Sequence, residues 1–131
     1  MLQFTVCVAK RSAAVDVTEQ VNTIVQNSGV GDGICCILVP HTTAAITINE
    51  YADPSVSQDL LAGLDSLVPW SADYLHQEGN AAAHIKAALI GQSVQVPVEN
   101  GTLQLGTWQR ILLCEFDGPR ERSVWIKLVG S

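Results

Sequence analysis

The chain has 131 residues, of which 47% are hydrophobic and 15% are charged, and it carries a formal net charge of −6. This length favours one domain with a single core, and the composition is that of a folded globular protein rather than a disordered one. The negative charge argues against nonspecific binding to nucleic acid or to an anionic membrane surface, and no apolar stretch is long enough to span a bilayer.

The N-terminus and the cysteines indicate a cytoplasmic protein. The first residues form an alternating apolar run without the basic region and cleavage site of a signal peptide. Four cysteines lie in apolar, strand-like runs and include no CxxC pair, so we expect buried, reduced thiols. They are Cys7, Cys35, Cys36 and Cys114.

The first predicted elements in chain order are a strand and a helix. Leu2–Lys10 alternates apolar and polar residues, which predicts a strand with one buried face. Asp16 and Glu19 have the spacing of a capping box, and the apolar residues that follow recur at helical spacing. Gly29 then marks the end of this first helix.

Two strands and a second helix come next. Gly33–Val39 is a continuous apolar run typical of a central strand, and Thr42–Asn49 predicts another strand. Asp53 before Pro54 is a strong helix start, because the carboxylate can cap the helix and proline suits its first position. Pro69 ends this helix, and the chain from there to residue 78 is predicted to be irregular.

The second half begins with a helix and continues as strands. Asn80 can cap a helix over Ala81–Ile90, which Gly91 ends. The following runs predict four strands, and Asn100-Gly101 suits a tight turn between the first two. These strands are Ser93–Val98, Thr102–Leu105, Trp108–Phe116 and Ser123–Val129. The expected fold class is α+β: a single domain, residues 1–131, with a mixed or antiparallel sheet, a C-terminal β-meander and about three helices packed against it.

One face of the strand after Pro40 is polar. Side chains alternate along a strand, so His41 and every second residue after it share a face. That face presents an imidazole, two hydroxyls and an amide, from His41, Thr43, Thr47 and Asn49. These groups make a suitable ligand-binding surface. A solvated sheet face, on which threonine is simply a good strand former, is the alternative.

The segment HQEGNAAAH, residues 76–84, places two histidines around a helix start. A bend at Gly79 could fold His76 back toward His84, with Glu78 beside it. As an N-cap, Asn80 would direct the first free amides of the helix at an anion such as phosphate or carboxylate. The alternative is a capped helix with a structural histidine.

Two further groups could reach the same site. Arg120 and Arg122 lie on one turn and are two of only seven basic residues. A guanidinium group offers a planar fork of donors suited to phosphate or carboxylate. A surface salt bridge to Asp117 or Glu121 is the alternative. Gln109 points to the face opposite its aromatic neighbour and could also reach a site.

Three long segments resemble successive motifs of the YjbQ-like family, which is often labelled secondary thiamine-phosphate synthase enzyme. They read HTTAAITINEYADPSV, HQEGNAAAHIKAALIG and PVENGTLQLGTWQRILLCEFDGPRER. The resemblance runs from about the first strand to the last. It implies a small α+β fold, a homotrimer with pockets near the subunit contacts, and a low-level ability to join a pyrimidine pyrophosphate to a thiazole phosphate.

The first functional hypothesis is a phosphate-handling enzyme of this synthase type. Pyrophosphate leaves a primary carbon in the reaction, so the protein must stabilise a departing anion. Arg120, Lys86 and the helix end at Asn80 could bind phosphate. The histidines could protonate it or hold a metal bound to it. Three side chains could orient these groups or bind Mg²⁺ through oxygen: Asn49, Glu50 and Glu78.

Two alternatives stay open. His41, His76 and His84 match the ligand count of a catalytic zinc site, with Glu78 as general base, in a metal-dependent hydrolase or lyase. The other alternative is a noncatalytic trimer that binds an anion or a small phosphorylated metabolite without turnover. No serine or cysteine has an obvious local base, which argues against covalent nucleophilic catalysis.

Overall fold

Eight strands and three helices build the fold, and the structure, a computed structural model, describes all of residues 1–131. The strands are β1 (Leu2–Val8), β2 (Ala13–Asp16), β3 (Gly33–Leu38), β4 (Ala44–Asn49), β5 (Ser93–Glu99), β6 (Thr102–Leu103), β7 (Arg110–Glu115) and β8 (Arg120–Gly130). The helices are α1 (Thr18–Asn27), α2 (Pro54–Leu67) and α3 (Ala81–Ile90). The predicted α+β class with three helices is confirmed. No helix is both long enough and apolar enough to cross a membrane.

The strands form two sheets in which every pair is antiparallel. The larger sheet has the order β1-β8-β3-β5-β6 and the smaller one the order β2-β7-β4. The larger sheet, α1 and one face of the smaller sheet enclose a main core of 16 buried residues. The other face of the smaller sheet packs against α2 and α3 around a second core. The smaller sheet is therefore the middle layer of the domain.

Alternation along the strands explains this layering. In β7, Ile111 and Leu113 belong to the main core, whereas Cys114 packs toward α2 and α3 together with Ala45 of β4. A strand that is covered on both faces must be apolar on both, so it reads as a continuous hydrophobic run. The polar face predicted for β4 is accordingly interrupted, since Ala45 is fully buried under the helices.

The C-terminal strands depart from the predicted meander. Only β5 and β6 pair as a hairpin, through a turn in which Asn100 and Gly101 both have positive φ, as expected for this dipeptide. β7 instead pairs with β2 and β4, and β8 lies between β1 and β3. Apolar alternation predicts that a strand exists without specifying its partner, so the pattern could not assign β7 and β8 to different sheets.

The start of α1 also differs from the prediction. Ala13–Asp16 is a strand that the sequence analysis missed, and the predicted capping box is wrong. Arg110 of β7 donates to Asp16 at 2.7 Å and to Glu19 at 3.1 Å. Asp16 also accepts the backbone N–H of Thr18 at 3.0 Å. The two carboxylates therefore tie β2 and α1 to β7 and do not form the reciprocal contacts of a capping box.

Other local predictions have mixed outcomes. Asp53 caps α2, accepting the backbone N–H of Ser55 at 3.0 Å, as predicted.

All four cysteines are free, but the expectation that they are buried holds only for Cys35 and Cys114, since Cys7 is exposed and Cys36 is half-buried. Burial raises the pKa of Cys35 to about 11 and that of Cys114 to about 12, so both thiols stay protonated at neutral pH.

Candidate functional site

A pocket of about 620 Å³ brings together three of the predicted segments, and none of the twelve residues that line it is hydrophobic. The segments are residues 40–43 before β4, residues 76–84 at the start of α3, and residues 117–122, which comprise the turn after β7 and the first residues of β8. β4 pairs with β7, and α3 packs against β4, so these segments meet at one end of the middle layer. The three histidines of the chain all line this pocket.

The turn between β7 and β8 packs closely on the N-terminal part of the chain. The backbone N–H of Gly118 donates to Arg11 at 3.0 Å. A Cβ at Gly118 would lie only 1.9 Å from the carbonyl oxygen of Lys10. Only glycine can therefore occupy this position without displacing backbone, and the contact holds Asp117 and Arg120 at the pocket.

His41 is fixed at the inner wall of the pocket by a backbone contact. The N–H of Ser123 donates to Nε2 of His41 at 2.9 Å. Burial lowers the pKa of His41, and the charge of Arg122 lowers it further, against an opposing effect of Glu115. The neutral imidazole with an occupied Nε2 carries its proton on Nδ1, so His41 offers the pocket a hydrogen-bond donor.

Arg122 lines the pocket and forms a buried ion pair with Glu115, which lies behind it. Their side chains are 5% and 0% exposed. Nε of Arg122 donates to Oε1 of Glu115 at 2.7 Å, and Nη2 donates to Oε2. Nη2 also donates to the Thr43 hydroxyl at 2.8 Å. Thr43 is therefore a buried partner of Arg122 at the edge of the pocket.

The sequence predicts Arg122 on the same turn as Arg120, but it does not predict that Arg122 is buried or that Glu115 is its partner. A signal for both was present. Arg122 alternates with Val124 and Ile126, which are buried residues of β8, so strand periodicity places it on the inward face. A basic residue on an inward face requires a buried partner.

Asn80 and Arg120 are held by the same carboxylate. Asp117 accepts from Nδ2 of Asn80 at 2.9 Å and from Nη2 of Arg120 at 3.1 Å. The prediction that the Asn80 side chain caps α3 is wrong, because its amide turns to Asp117 and leaves Oδ1 enclosed without a partner. Asn80 still lines the pocket, but the alanines after it are buried and do not.

His76 and His84 form an edge-to-face pair with ring centroids 5.1 Å apart. The predicted bend at Gly79 is confirmed by its φ of 84°, and it returns the entering loop toward α3. Nε2 of His76 lies 4.0 Å from Oε2 of Glu78. No group of three or more His, Cys, Asp and Glu side chains is arranged to hold a metal ion. Metal binding by His41, His76 and His84 stays a prediction.

Four predicted site residues lie outside the pocket. Asn49 is at the far end of β4, about 16 Å from the start of that strand at a rise of about 3.3 Å per residue. Glu50 follows it and donates its backbone N–H to the Asn49 side chain at 2.7 Å. Gln109 accepts the backbone N–H of Gly106 at 2.8 Å.

Lys86 is the fourth of these residues. It lies two positions beyond His84, which rotates its side chain by roughly 200° about the helix axis. Lys86 is therefore buried between α3 and α2, where it pairs with Asp65 and lies 6.0 Å from the ring centroid of Phe116. This lysine stabilises the contact between the helices and does not reach the pocket.

Comparison with known proteins assigns the chain to a family. A sequence model described as UPF0047 protein YjbQ-like matches residues 2–131. The chain is 50% identical to the UPF0047 protein YugU of Bacillus subtilis, over 92% of both chains. It is 46% identical to a UPF0047 protein of Archaeoglobus fulgidus, over 96% of this chain and 98% of the other.

Solved structures have the same fold. The crystal structure of an uncharacterised YjbQ/UPF0047-family protein from Clostridium acetobutylicum is similar with a TM-score of 0.96 and 48% identity, over 98% of this chain and 100% of that one. A protein of unknown function from Sulfolobus solfataricus is similar with a TM-score of 0.95 and 39% identity, over 98% and 95% of the two chains. This chain therefore belongs to the YjbQ/UPF0047 family.

Proposed function

We propose that this protein is a phosphate-handling enzyme of the secondary thiamine-phosphate synthase type, which joins a pyrimidine pyrophosphate to a thiazole phosphate. The observation that supports it is the 620 Å³ pocket, whose lining includes three histidines and two arginines and no hydrophobic residue. Its volume is in the range of small-molecule sites, about 300–1,000 Å³, but most such sites are largely apolar. A pocket lined almost entirely by polar and charged residues suits a ligand with several charged oxygens.

The proposed reaction requires little covalent chemistry from the protein. The bond from the primary carbon of the pyrimidine to pyrophosphate oxygen breaks, the oxygen keeps the electron pair, and the thiazole nitrogen attacks the resulting cation. The donors of the pocket, Nδ1–H of His41 and the guanidinium groups, would stabilise the departing anion. His76 or His84 would supply a proton to it.

A divalent cation, Zn²⁺ or Mg²⁺, is part of this proposal. The pocket contains the carboxylates of Glu78, Asp117 and Glu121, and carboxylate oxygens are the ligands that Mg²⁺ prefers. Asp117 is already bound to Arg120 and Asn80, so Glu78 and Glu121 are the better candidates. Since no three such side chains are grouped to hold a metal ion by themselves, the cation would be bound jointly with the pyrophosphate oxygens, whose charge it would partly neutralise.

The direct test measures thiamine phosphate formed by purified protein from the two phosphorylated substrates, with and without Mg²⁺. His41→Ala should lose most of the activity, because it removes a donor at the inner wall of the pocket. Glu50→Gln is the matched control, since Glu50 lies outside the pocket. Wild-type protein that forms no product above the reagent blank would eliminate the synthase proposal.

A metal-dependent hydrolase or lyase is the second proposal, and it is favoured by the contact of His76 with His84 next to Glu78. Metal analysis of protein purified without chelator, repeated on His84→Ala, tests it. The expected result is stoichiometric zinc, manganese or iron in the wild type and its loss in the variant. Wild-type protein without such metal would contradict this proposal.

We further propose a cytoplasmic homotrimer. Large hydrophobic side chains remain exposed on the protomer, including Ile34, Leu89, Trp108 and Val129. Ile34 and Val129 are register partners on β3 and β8, and adjacent exposed apolar side chains of this kind support a subunit contact on that sheet. Light scattering after size-exclusion chromatography should give three times the 14.0 kDa of the chain. A noncatalytic trimer would be stabilised thermally by phosphorylated ligands while showing neither activity.

A further inference from the structure

We propose that Arg122, rather than the more exposed Arg120, binds the anionic group of the ligand, through its guanidinium nitrogen Nη1. This inference rests on the proposed function, since it assumes that a phosphorylated metabolite occupies the pocket. It assigns the phosphate subsite to the buried guanidinium of Arg122 instead of to the exposed one of Arg120.

The hydrogen bonds of Arg122 leave one end of the guanidinium free. Nε and Nη2 donate to Glu115, and Nη2 also donates to Thr43. Nη1 has no hydrogen-bond partner in the protein. It is accessible to solvent, since only Ser57 Oγ and Asn80 Oδ1 are both enclosed and without a partner. Arg122 is only 4% exposed, and it lines the 620 Å³ pocket. The small accessible part of this side chain therefore includes an unpaired donor that faces the pocket.

Burial makes Arg122 a better anion-binding group than its neighbour Arg120, which is also held by a carboxylate but is exposed. The Arg122 side chain is already held by Glu115 and Thr43, so ligand binding costs little additional side-chain entropy. A charge-assisted hydrogen bond is also stronger where burial lowers the local dielectric. Arg120 is 53% exposed, and its attraction for an anion is screened by solvent and salt.

His41 provides a second hydrogen-bond donor, and it is positioned by the same strand, β8. Ser123 follows Arg122, and its backbone N–H donates to Nε2 of His41. The proton of the neutral imidazole is therefore on Nδ1, which is the donor of that ring. Both groups are thus positioned by the first residues of β8. The ligand that fits is a small anion with more than one oxygen, such as phosphate or diphosphate, with one oxygen on Nη1.

Isothermal titration calorimetry with inorganic pyrophosphate in the presence of Mg²⁺ tests this assignment. Arg122→Lys keeps a positive charge beside Glu115 but removes Nη1, and it should weaken the affinity about tenfold or more. Arg120→Lys should change the affinity less than about threefold. Arg110→Lys is the control, because Arg110 is ion-paired in a similar way and lies outside the pocket.

A second measurement follows the wild-type protein and does not require an Arg122 variant to fold. The chain has only four arginines, so substituting each of the other three in ¹⁵N-labelled protein assigns the Arg122 side-chain resonances by elimination. Added pyrophosphate should shift the resonances of Arg122 most. A shift confined to Arg120, or an Arg122→Lys variant that binds like the wild type, would overturn the assignment.

The outcomes separate this inference from the proposed function. Wild-type protein that does not bind pyrophosphate overturns both. Binding that survives Arg122→Lys overturns the inference alone. Binding that is lost in Arg122→Lys, in a protein that forms no thiamine phosphate, supports the anion subsite and eliminates the synthase activity.

Discussion

Breaking the ion pair between Glu115 and Arg122 is expected to destabilise the protein strongly. Glu115 is fully buried and accepts three hydrogen bonds, two from Arg122 and one from the backbone N–H of Asp117 at 3.0 Å. Arg122→Met would leave the carboxylate with only the last of these. Removing one partner of a buried pair typically costs about 3–5 kcal/mol in the free energy of unfolding.

The double variant provides the decisive comparison. Arg122→Met combined with Glu115→Leu removes both charges and replaces them with apolar groups, so it should return to within about 1–2 kcal/mol of the wild type. For a chain of this size, a loss of 3–5 kcal/mol corresponds to a fall in Tm of about 10–20 °C. Thermal and urea unfolding at neutral pH would measure these changes, at equal protein concentration because association also stabilises.

Two results would refute this reasoning. One is a single variant, Arg122→Met or Glu115→Leu, whose free energy of unfolding falls by less than about 1 kcal/mol. A buried charge without its partner should destabilise the protein by more than that. The other is a double variant no more stable than the weaker single variant. That outcome would mean that the loss arises from packing of the side chains rather than from their charges.

Three further predictions concern the core, the backbone and pH. Lys86→Ala should lower the free energy of unfolding by about 1–3 kcal/mol, because it removes a buried side chain paired between two helices, and a loss below about 0.5 kcal/mol in urea unfolding would contradict this. Gly33→Ala should cost about 1–3 kcal/mol or more, since its Cβ would lie 2.1 Å from a backbone oxygen, whereas Gly63→Ala, a helical position with open space, should stabilise by about 0.5–1 kcal/mol. Equal Tm values for these two variants would refute the contact argument. His41 has its pKa lowered below its ordinary 6.5, so its contribution to stability is complete above pH 6.5 and is lost as the pH falls through the folded-state pKa. The Tm difference between the wild type and His41→Gln should therefore shrink in acid, and a difference that is constant with pH would contradict this.

Much of the fold follows from local sequence signals. The helix start at Asp53-Pro54 and the hairpin turn at Asn100-Gly101 depend on neighbouring residues only, so the sequence predicts them. The assignment of β7 and β8 to different sheets depends on partners distant in the sequence, and periodicity does not contain that information.

The candidate site also contains residues that the sequence predicts and residues whose role depends on distant contacts. His41, His76 and His84 stand out because histidines are rare in this chain and two of them flank a glycine bend. The charge of Lys86 predicts a phosphate-binding role, but its position on α3 directs the side chain toward Asp65. Glu115 gains its role only when β8 places Arg122 beside it, a contact that the sequence alone does not reveal.

The position of β7 links the interior of the protein to the geometry of the pocket. Leu113 packs into the main core, Cys114 into the core under the helices, and Glu115, the next residue, holds Arg122 at the pocket. A change of volume on either side of this strand would shift the carboxylate and with it the guanidinium, because close-packed interiors transmit displacements. If the proposed anion binds there, selection for altered affinity should recover substitutions at Leu113 and Cys114, far from solvent, as well as in the residues that line the pocket.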